Sequence, residues 1–345
     1  MSNSDNSERR TDGGTVEQEI FGTGGDGDGG RRTTSPQERL RRLIDTYFAT
    51  PFRIAWNDWR ARIGGLGVLL YILMGTVGPM LVEQPELNYR VAYTEAFIYP
   101  EYPLGADYAG RDMLTSIIHA TPAMLKMALA GVLFSIGVAV IFGFVSGYKG
   151  GMIDTVLMTL TDVMITLPGL PLIILIAAVY PPQDPFIVGA ILAIDNWPGL
   201  ARSLRSQVLT LREESYVEAS RTMGLSTSEI IGKDLIPQLA PFVLISSAGA
   251  ATGVISESVA LYYLGILPSS SSVSNWGVML HYSISQADAV NNWANAGHMM
   301  LFPLLALSGM TFFLILFGQG LDSLFNPRLR ARHSSTTADD GDGRS

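Results

Sequence analysis

Three acidic residues lie inside apolar runs of this 345-residue chain: Asp162, Asp195 and Glu257. An ionisable side chain at bilayer depth costs about 3 kcal/mol, so such groups either line a pathway or pair within a helix bundle. On the first reading they meet the ammonium end of a solute; on the second they are structural. Trp197-Pro198, beside Asp195, is either a helix break that exposes carbonyls to a cavity or an interface anchor. The four histidines, His119, His281, His298 and His333, share no ligand spacing of the H-E-x-x-H kind, and they read as surface groups with no metal. There is no G-x-x-x-x-G-K-[ST] loop and no G-x-S-x-G elbow, so no catalytic residue is assigned and the chain is not expected to hydrolyse ATP. With no cysteine there is no disulfide scaffold, thiolate zinc site or iron–sulfur cluster.

A second constellation is local. The stretch SQVLTLREESYVEASRTMGLSTSEIIGKDLIPQLAP, residues 206–241, reads as two short helices around a hinge. Arg212–Met223 holds good helix formers, and Gly224 is the natural left-handed residue after its end. Ser226 restarts a helix, with Glu229 three positions on completing a capping box. Ile230, Ile231 and Leu235 give an apolar edge. Pro237 is expected to end this helix and Pro241 to open the next. The element suits docking into a partner's groove, or it is a plain surface hairpin.

These residues need elements to hold them. Six apolar blocks approach or exceed the roughly 20 residues that cross a bilayer: about 63–82, 123–147, 152–180, 185–202, 239–264 and 297–320. The third is interrupted at Pro168 and Pro171. Gly143-x3-Gly147 and Gly249-x3-Gly253 permit close helix crossings. Residues 1–38 are acidic, Gly- and Ser-rich and are expected to be disordered. Residues 39–62 carry six arginines among aromatics, as either a segment lying at the membrane surface or a solvated linker. With both termini in the cytoplasm, cytoplasmic connections hold 15 basic residues and the outer ones only Arg90 and Arg111.

The chain resembles a known family at several points. Glu218-Ala219-Ser220, Gly224 and Ile236-Pro237 are similar to the EAA motif of ABC-importer permeases, E-A-A-x3-G-x9-I-x-L-P; Ser220, Asp234 and Ile236 stand at its third Ala, its I and its L. Further segments resemble the dipeptide/oligopeptide/nickel permeases over about 100–332. They include Pro103-Leu104-Gly105-Ala106-Asp107 with Gly110-Arg111-Asp112, GYKGGMIDTVLMTLTDV with LPGLP, LREESYVEA, Trp276-Gly277-Val278-Met279-Leu280 and Asn326-Pro327-Arg328. The chain departs from the family in places. Registered on Gly265, the family's membrane glutamate falls at Ser258 while this chain has Glu257; Tyr102 stands where the family has His; and the 268–275 loop is serine-rich.

The resemblance implies an all-α integral membrane fold: six transmembrane helices of the type I ABC-importer permease kind with a cytoplasmic EAA helix–turn–helix at about 203–237. Its divisions are the tail 1–38, the basic segment 39–62, a first span and outer loop at 63–122, a permease core at 123–327 and a tail at 328–345. Glu218, Ala219, Ser220, Gly224, Ser226, Glu229, Ile236 and Pro237 become ATPase-coupling residues; Asp162, Asp195 and Glu257 become pathway candidates for the ammonium end of a peptide. The implied partners are a second homologous permease subunit, two ABC ATPase subunits, which bind the ATP and Mg, an extracytoplasmic substrate-binding lipoprotein and the lipid bilayer. Nickel or another small solute is the alternative cargo, and a self-sufficient secondary transporter is the alternative class. The net charge of -8 and the lack of a basic face speak against nucleic acid. Acid-rich exposed parts with three lysines and no cysteine suggest the cell membrane of a salt-loving prokaryote such as a halophilic archaeon; a GC-rich genome explains the arginine bias equally.

Overall fold

The computed structural model describes residues 58–268 and 275–325. The expected tails 1–38 and 328–345, residues 39–57 of the basic segment, His333 and most of the serine-rich loop lie outside the described residues. Among the described residues there are helices and no strand; one isolated bridge joins Ala106 and Asp112.

Helix α1, Trp59–Thr76, starts four residues before the apolar block because the Asp58 carboxylate accepts the Arg60 N–H at 2.8 Å. A one-turn helix α2, Gly78–Leu81, follows. The loop to residue 112 carries a 3₁₀ turn, Tyr89–Val91. Helix α3, Met113–Lys149, begins ten residues before the predicted span. Ser116, His119 and Thr121 break the apolar run there, but each returns a hydrogen bond to a carbonyl one turn back, at 2.7, 3.0 and 2.8 Å.

The third block is sharply bent, with the shape of a broken span or a re-entrant loop. Helices α4, Gly151–Thr166, and α5, Gly169–Val179, meet at 86° across Leu167-Pro168. Pro168 lacks the N–H that would continue α4 and bars the α conformation at Leu167. The fourth block is not one helix. Helix α6, Pro185–Leu192, stops at a turn holding Asp195, and α7 runs from Trp197–Leu211.

Helix α8 is Ser215–Thr222, shorter than the predicted Arg212–Met223 because residues 212–214 turn the chain. Helix α9, Thr227–Ile230, then passes through a π-helical turn, Ile231–Leu235, into α10, Ile236–Tyr263. Pro237 therefore does not end the helix. The Ile236 N–H bonds five residues back to the Ile231 carbonyl, and this wider turn absorbs the bond a proline cannot make. Two further helices close the fold: α11, Trp276–Ser285, and α12, Trp293–Phe325.

Three stretches are long and apolar enough to cross a membrane: Met113–Lys149, Thr227–Tyr263 and Trp293–Asp322; the bent α4–α5 pair makes a fourth if it counts as one span. Helix α3 is central and packs on α1, α4, α6, α7 and α10. In lipid, helices associate through packing rather than water exclusion, which favours small residues at crossings. A Cβ on Gly143 or Gly147 would lie 2.6 Å from the Leu204 Cβ or 2.9 Å from the Val208 Cβ, so α7 lies directly on α3 at those glycines. The second glycine pair makes no such crossing, since a Cβ on Gly249 would meet nothing within 4 Å. Leu66, Leu69, Leu70 and Leu73 on α1 and Leu301, Leu305, Phe312 and Ile315 on α12 are all exposed. So much uncovered aliphatic surface suits hydrocarbon, not water.

Candidate functional site

The hairpin at 212–237 sits on a core of its own. Val217, Ile230, Leu235 and Leu239 are buried with Phe144 of α3 and Leu204 and Val208 of α7. Val217 anchors α8 from below, and Ser220, one turn on, is buried beside it. Glu218 and Ala219 project on the exposed side. Gly224 adopts φ 80°, and the Leu225 N–H reaches back to the Ser220 carbonyl at 3.2 Å, closing the end of α8. The capping box forms as expected. The Glu229 N–H donates to the Ser226 hydroxyl, and the Ser226 N–H donates to the Glu229 carboxylate at 3.0 Å. Lys233 adds an ion pair to Glu229 at 3.2 Å. These contacts, led by the Ser226 N–H, push the Glu229 carboxyl down to about 2. Ile236 and Pro237 lie exposed just past the π turn.

Two fixings of the hairpin were not visible in the sequence. The Arg221 guanidinium lies 5.0 Å over the Tyr148 ring and donates to its hydroxyl at 3.2 Å. Arg212 donates to the Gly147 carbonyl at 3.1 Å. Tyr148, Arg212 and Arg221, with Lys149, Glu213, Glu218 and Thr227, line a polar cavity of about 700 Å³ between the end of α3 and the hairpin. Lone arginines and a tyrosine carry no spacing signal, which is why they escaped notice.

The apolar-run acids divide into two places. Asp195 and Glu257 come together at the span break with Asn196. The Asp195 carboxylate sits against Gly169, where a Cβ would lie 1.7 Å from its Oδ2. Gly169 opens α5, so the acid faces the positive end of that helix. Asp195 Oδ1 and Glu257 Oε2 are buried with no hydrogen-bond partner. Ser258, at the family's glutamate register, is fully buried and bonds its own helix at Ile255. Asp162 is elsewhere, paired with Arg202 of α7 on an exposed surface. A fourth acid, Asp154, holds Arg205 through two bonds of 2.5 Å and ties α4 to α7. His119, His281 and His298 each bond a backbone carbonyl, and among the described residues no group of ligating side chains could hold a metal.

An exposed two-helix hairpin fixed to a bundle of apolar helices is what the sequence comparisons meet. The family described as binding-protein-dependent transport system inner membrane component matches residues 139–331, more than half of the chain. The chain belongs to this family. The dipeptide transport system permease protein DppC of Bacillus subtilis is 30% identical over 78% of this chain and 82% of its own length. The oligopeptide transport system permease protein OppC of the same organism is 26% identical over 78% and 86%. The glutathione transport system permease protein GsiD of Pectobacterium atrosepticum is 28% identical over 84% and 95%. Family membership and the apolar helices make this a membrane protein of the dipeptide/oligopeptide ABC-importer permease group. The matched region spans the hairpin, both acids at the span break and the Asp162–Arg202 pair.

Proposed function

We propose that this chain is one permease subunit of an ATP-driven importer of di- and oligopeptides. The observation that carries the reading is the hairpin: exposed Glu218 and Ala219 stand on a buried Val217–Ser220 base with Gly224 as a hinge. A carrier working alone has no use for such a docking element. The peptide relatives favour peptide over nickel or another small solute.

On this reading six spans place both termini in the cytoplasm, with α1 and α2 as the first and α6 leading into α7 as the fourth. The proposed divisions are 1–38, 39–62, 63–122, 123–327 and 328–345. A second permease subunit completes the pore, two ATPase subunits bind ATP and Mg and engage the hairpins, and an extracytoplasmic binding protein delivers the cargo. Glu218, Ala219, Ser220, Gly224, Ser226, Glu229, Ile236 and Pro237 transmit the ATPase motion. Asp195 and Glu257, with their unpartnered oxygens, receive the peptide ammonium as the spans rock, and Asp162 lies further along the route. The chain itself performs no catalysis.

The test is reconstitution of the complete transporter in liposomes with its binding protein. ATP-dependent uptake of a labelled dipeptide, not competed by nickel, is expected. Uptake driven by an ion gradient without the ATPases would overturn the reading. Because the chain lacks cysteine, Cys placed at Ala219 or Ser228 should crosslink to a Cys in the ATPase groove. Equal crosslinking from Cys in the 268–296 loop would overturn the topology.

A further inference from the structure

The polar cavity between α3 and the hairpin holds charges that do not neutralise one another. Lys149 ends α3, Arg212 and Glu213 lie in the turn after α7, and Glu218 and Arg221 belong to α8. Three cations and two carboxylates thus share about 700 Å³. Among the described residues none of these charged groups is in an ion pair. Pairs do form close by. Lys233 takes Glu229, and Arg205 takes both oxygens of Asp154, the further carboxylate that acts on Arg212.

Each arginine is instead fixed by an uncharged contact. Arg212 donates to the Gly147 carbonyl at 3.1 Å, and a Cβ on Gly150 would lie 3.5 Å from its Nη1. It therefore lies on the turn between α3 and α4. Arg221 donates from Nε to the Tyr148 hydroxyl at 3.2 Å, with its guanidinium 5.0 Å over the ring. These contacts aim the two forks and leave their other N–H groups unspent. The Lys149 ammonium has no partner among the described residues.

Carboxylates stand beside these cations in Glu213 and Glu218, and the cations leave them unpaired. A phosphate group presents oxygens in several directions at once, which suits two guanidinium forks and an ammonium arriving from separate segments. Tyr148 and Thr227 bring hydroxyls to the same wall. The volume lies within the range of small-ligand sites, about 300–1,000 Å³. The position supplies such groups as well. Lys149 is the last residue of a stretch long and apolar enough to cross a membrane, and it stands two residues past the apolar block 123–147. That is headgroup level, where basic pockets at the cytoplasmic side take lipid phosphates.

We infer that this cavity is an anion site: Lys149, Arg212 and Arg221 together take one phosphate group, from a phospholipid headgroup or from a soluble phosphate ester, and the bound group ties the hairpin to the end of α3. The binding stands on these residues alone. Its consequence, a hairpin that follows the span more closely during turnover, rests on the proposed function.

The test uses the complete transporter purified in dodecyl maltoside, a detergent without phosphate. The readout is amide exchange of residues 212–230 against that of α12. Glycerol phosphate is the soluble probe and dihexanoyl phosphatidylglycerol the lipid probe. Protection of the hairpin by at least one of them, with α12 unchanged, is expected; the lipid alone names a headgroup site, and glycerol phosphate at matched concentration names a soluble ester. Lys149→Gln should weaken the stronger probe by roughly tenfold, the loss of one charge-assisted bond. Its ammonium bonds nothing in the fold, so the hairpin keeps its place in this variant. Glu213→Gln removes an opposing charge and should tighten binding a few-fold. Protection by neither probe, as when acids of the ATPase fill the cavity, overturns the inference, and so does equal binding by Lys149→Gln and the parent. Dipeptide uptake is measured on the same preparation after reconstitution. A transporter that moves dipeptide while neither probe protects the hairpin defeats this inference alone. Lys149-dependent protection in a transporter that moves no peptide defeats the proposed substrate and leaves the anion site standing.

Discussion

The hairpin and the span break both hold charged groups, and they treat them in opposite ways. In the hairpin Glu229 has Ser226 and Lys233, Arg221 has Tyr148 and Arg212 has Gly147; Asp234 Oδ2, at the π turn, is the one buried polar atom there without a partner. At the break, Asp195 and Glu257 each keep a buried oxygen with nothing to bond. A buried carboxylate oxygen left unsatisfied costs about 1–3 kcal/mol or more. A satisfied network is stiff and suits passing on a displacement; on the proposed reading the carboxyls at the break receive the cargo. Substitutions in the first region should therefore disturb coupling, and those in the second should disturb cargo.

The largest effect is expected at Gly224. Its φ of 80° is closed to proline, whose ring holds φ near -65°. Gly224→Pro must misplace Ser226 and everything that depends on it. A penalty of about 3 kcal/mol in the docked state corresponds to a roughly 100-fold loss of ATP-driven uptake. Membrane insertion should persist, because the spans do not need this turn. Uptake at the parent's level would break the contrast on the hairpin side.

Next come Asp195→Asn and Glu257→Gln. On the proposed reading each removes a carboxyl that receives the cargo ammonium, worth about 2 kcal/mol for a charge-assisted bond, and should lower dipeptide uptake by roughly tenfold or more. ATPase stimulation by an empty binding protein should stay unchanged, which separates a cargo defect from a coupling defect. A matched loss of both activities would place these acids in the coupling machinery and dissolve the distinction.

What was legible in the sequence follows the range of the interaction. Gly224, Ser226 and Glu229 were readable because their chemistry closes within four residues. The bend at Pro168 was readable for the same reason. Pro237 misled because a proline ends a helix only if the bonding ladder stays α, and the π turn at Ile231–Leu235 is invisible to periodicity. The early start of α3 was hidden because polar Ser116, His119 and Thr121 interrupt an apolar run while satisfying themselves on their own backbone. The pairing of Asp195 with Gly169, and of Arg221 with Tyr148, depends on which helices lie side by side, which no local pattern encodes.

The smallest effect concerns pH and tests how far the hairpin's stiffness depends on its cap. Glu229 falls from 4.5 to about 2, first through the Ser226 N–H, then the Ser226 hydroxyl and Lys233. A carboxyl whose folded value is depressed stabilises the fold above its unfolded value and loses that contribution as pH drops through the folded one. The hairpin amides should therefore keep their exchange protection at pH 5 and above, and lose it progressively as pH falls from about 4.5 towards 2, while α3 and α12 stay protected. Ser226→Ala removes the hydroxyl that accepts the Glu229 N–H and should cost about 1 kcal/mol of local helix stability, with uptake reduced a few-fold at most. Its acid transition should move upward, because Glu229 loses one of its donors. An unmoved transition would mean that Lys233 and the backbone alone hold the carboxylate, and the cap would then contribute shape to the hairpin but no acid sensitivity.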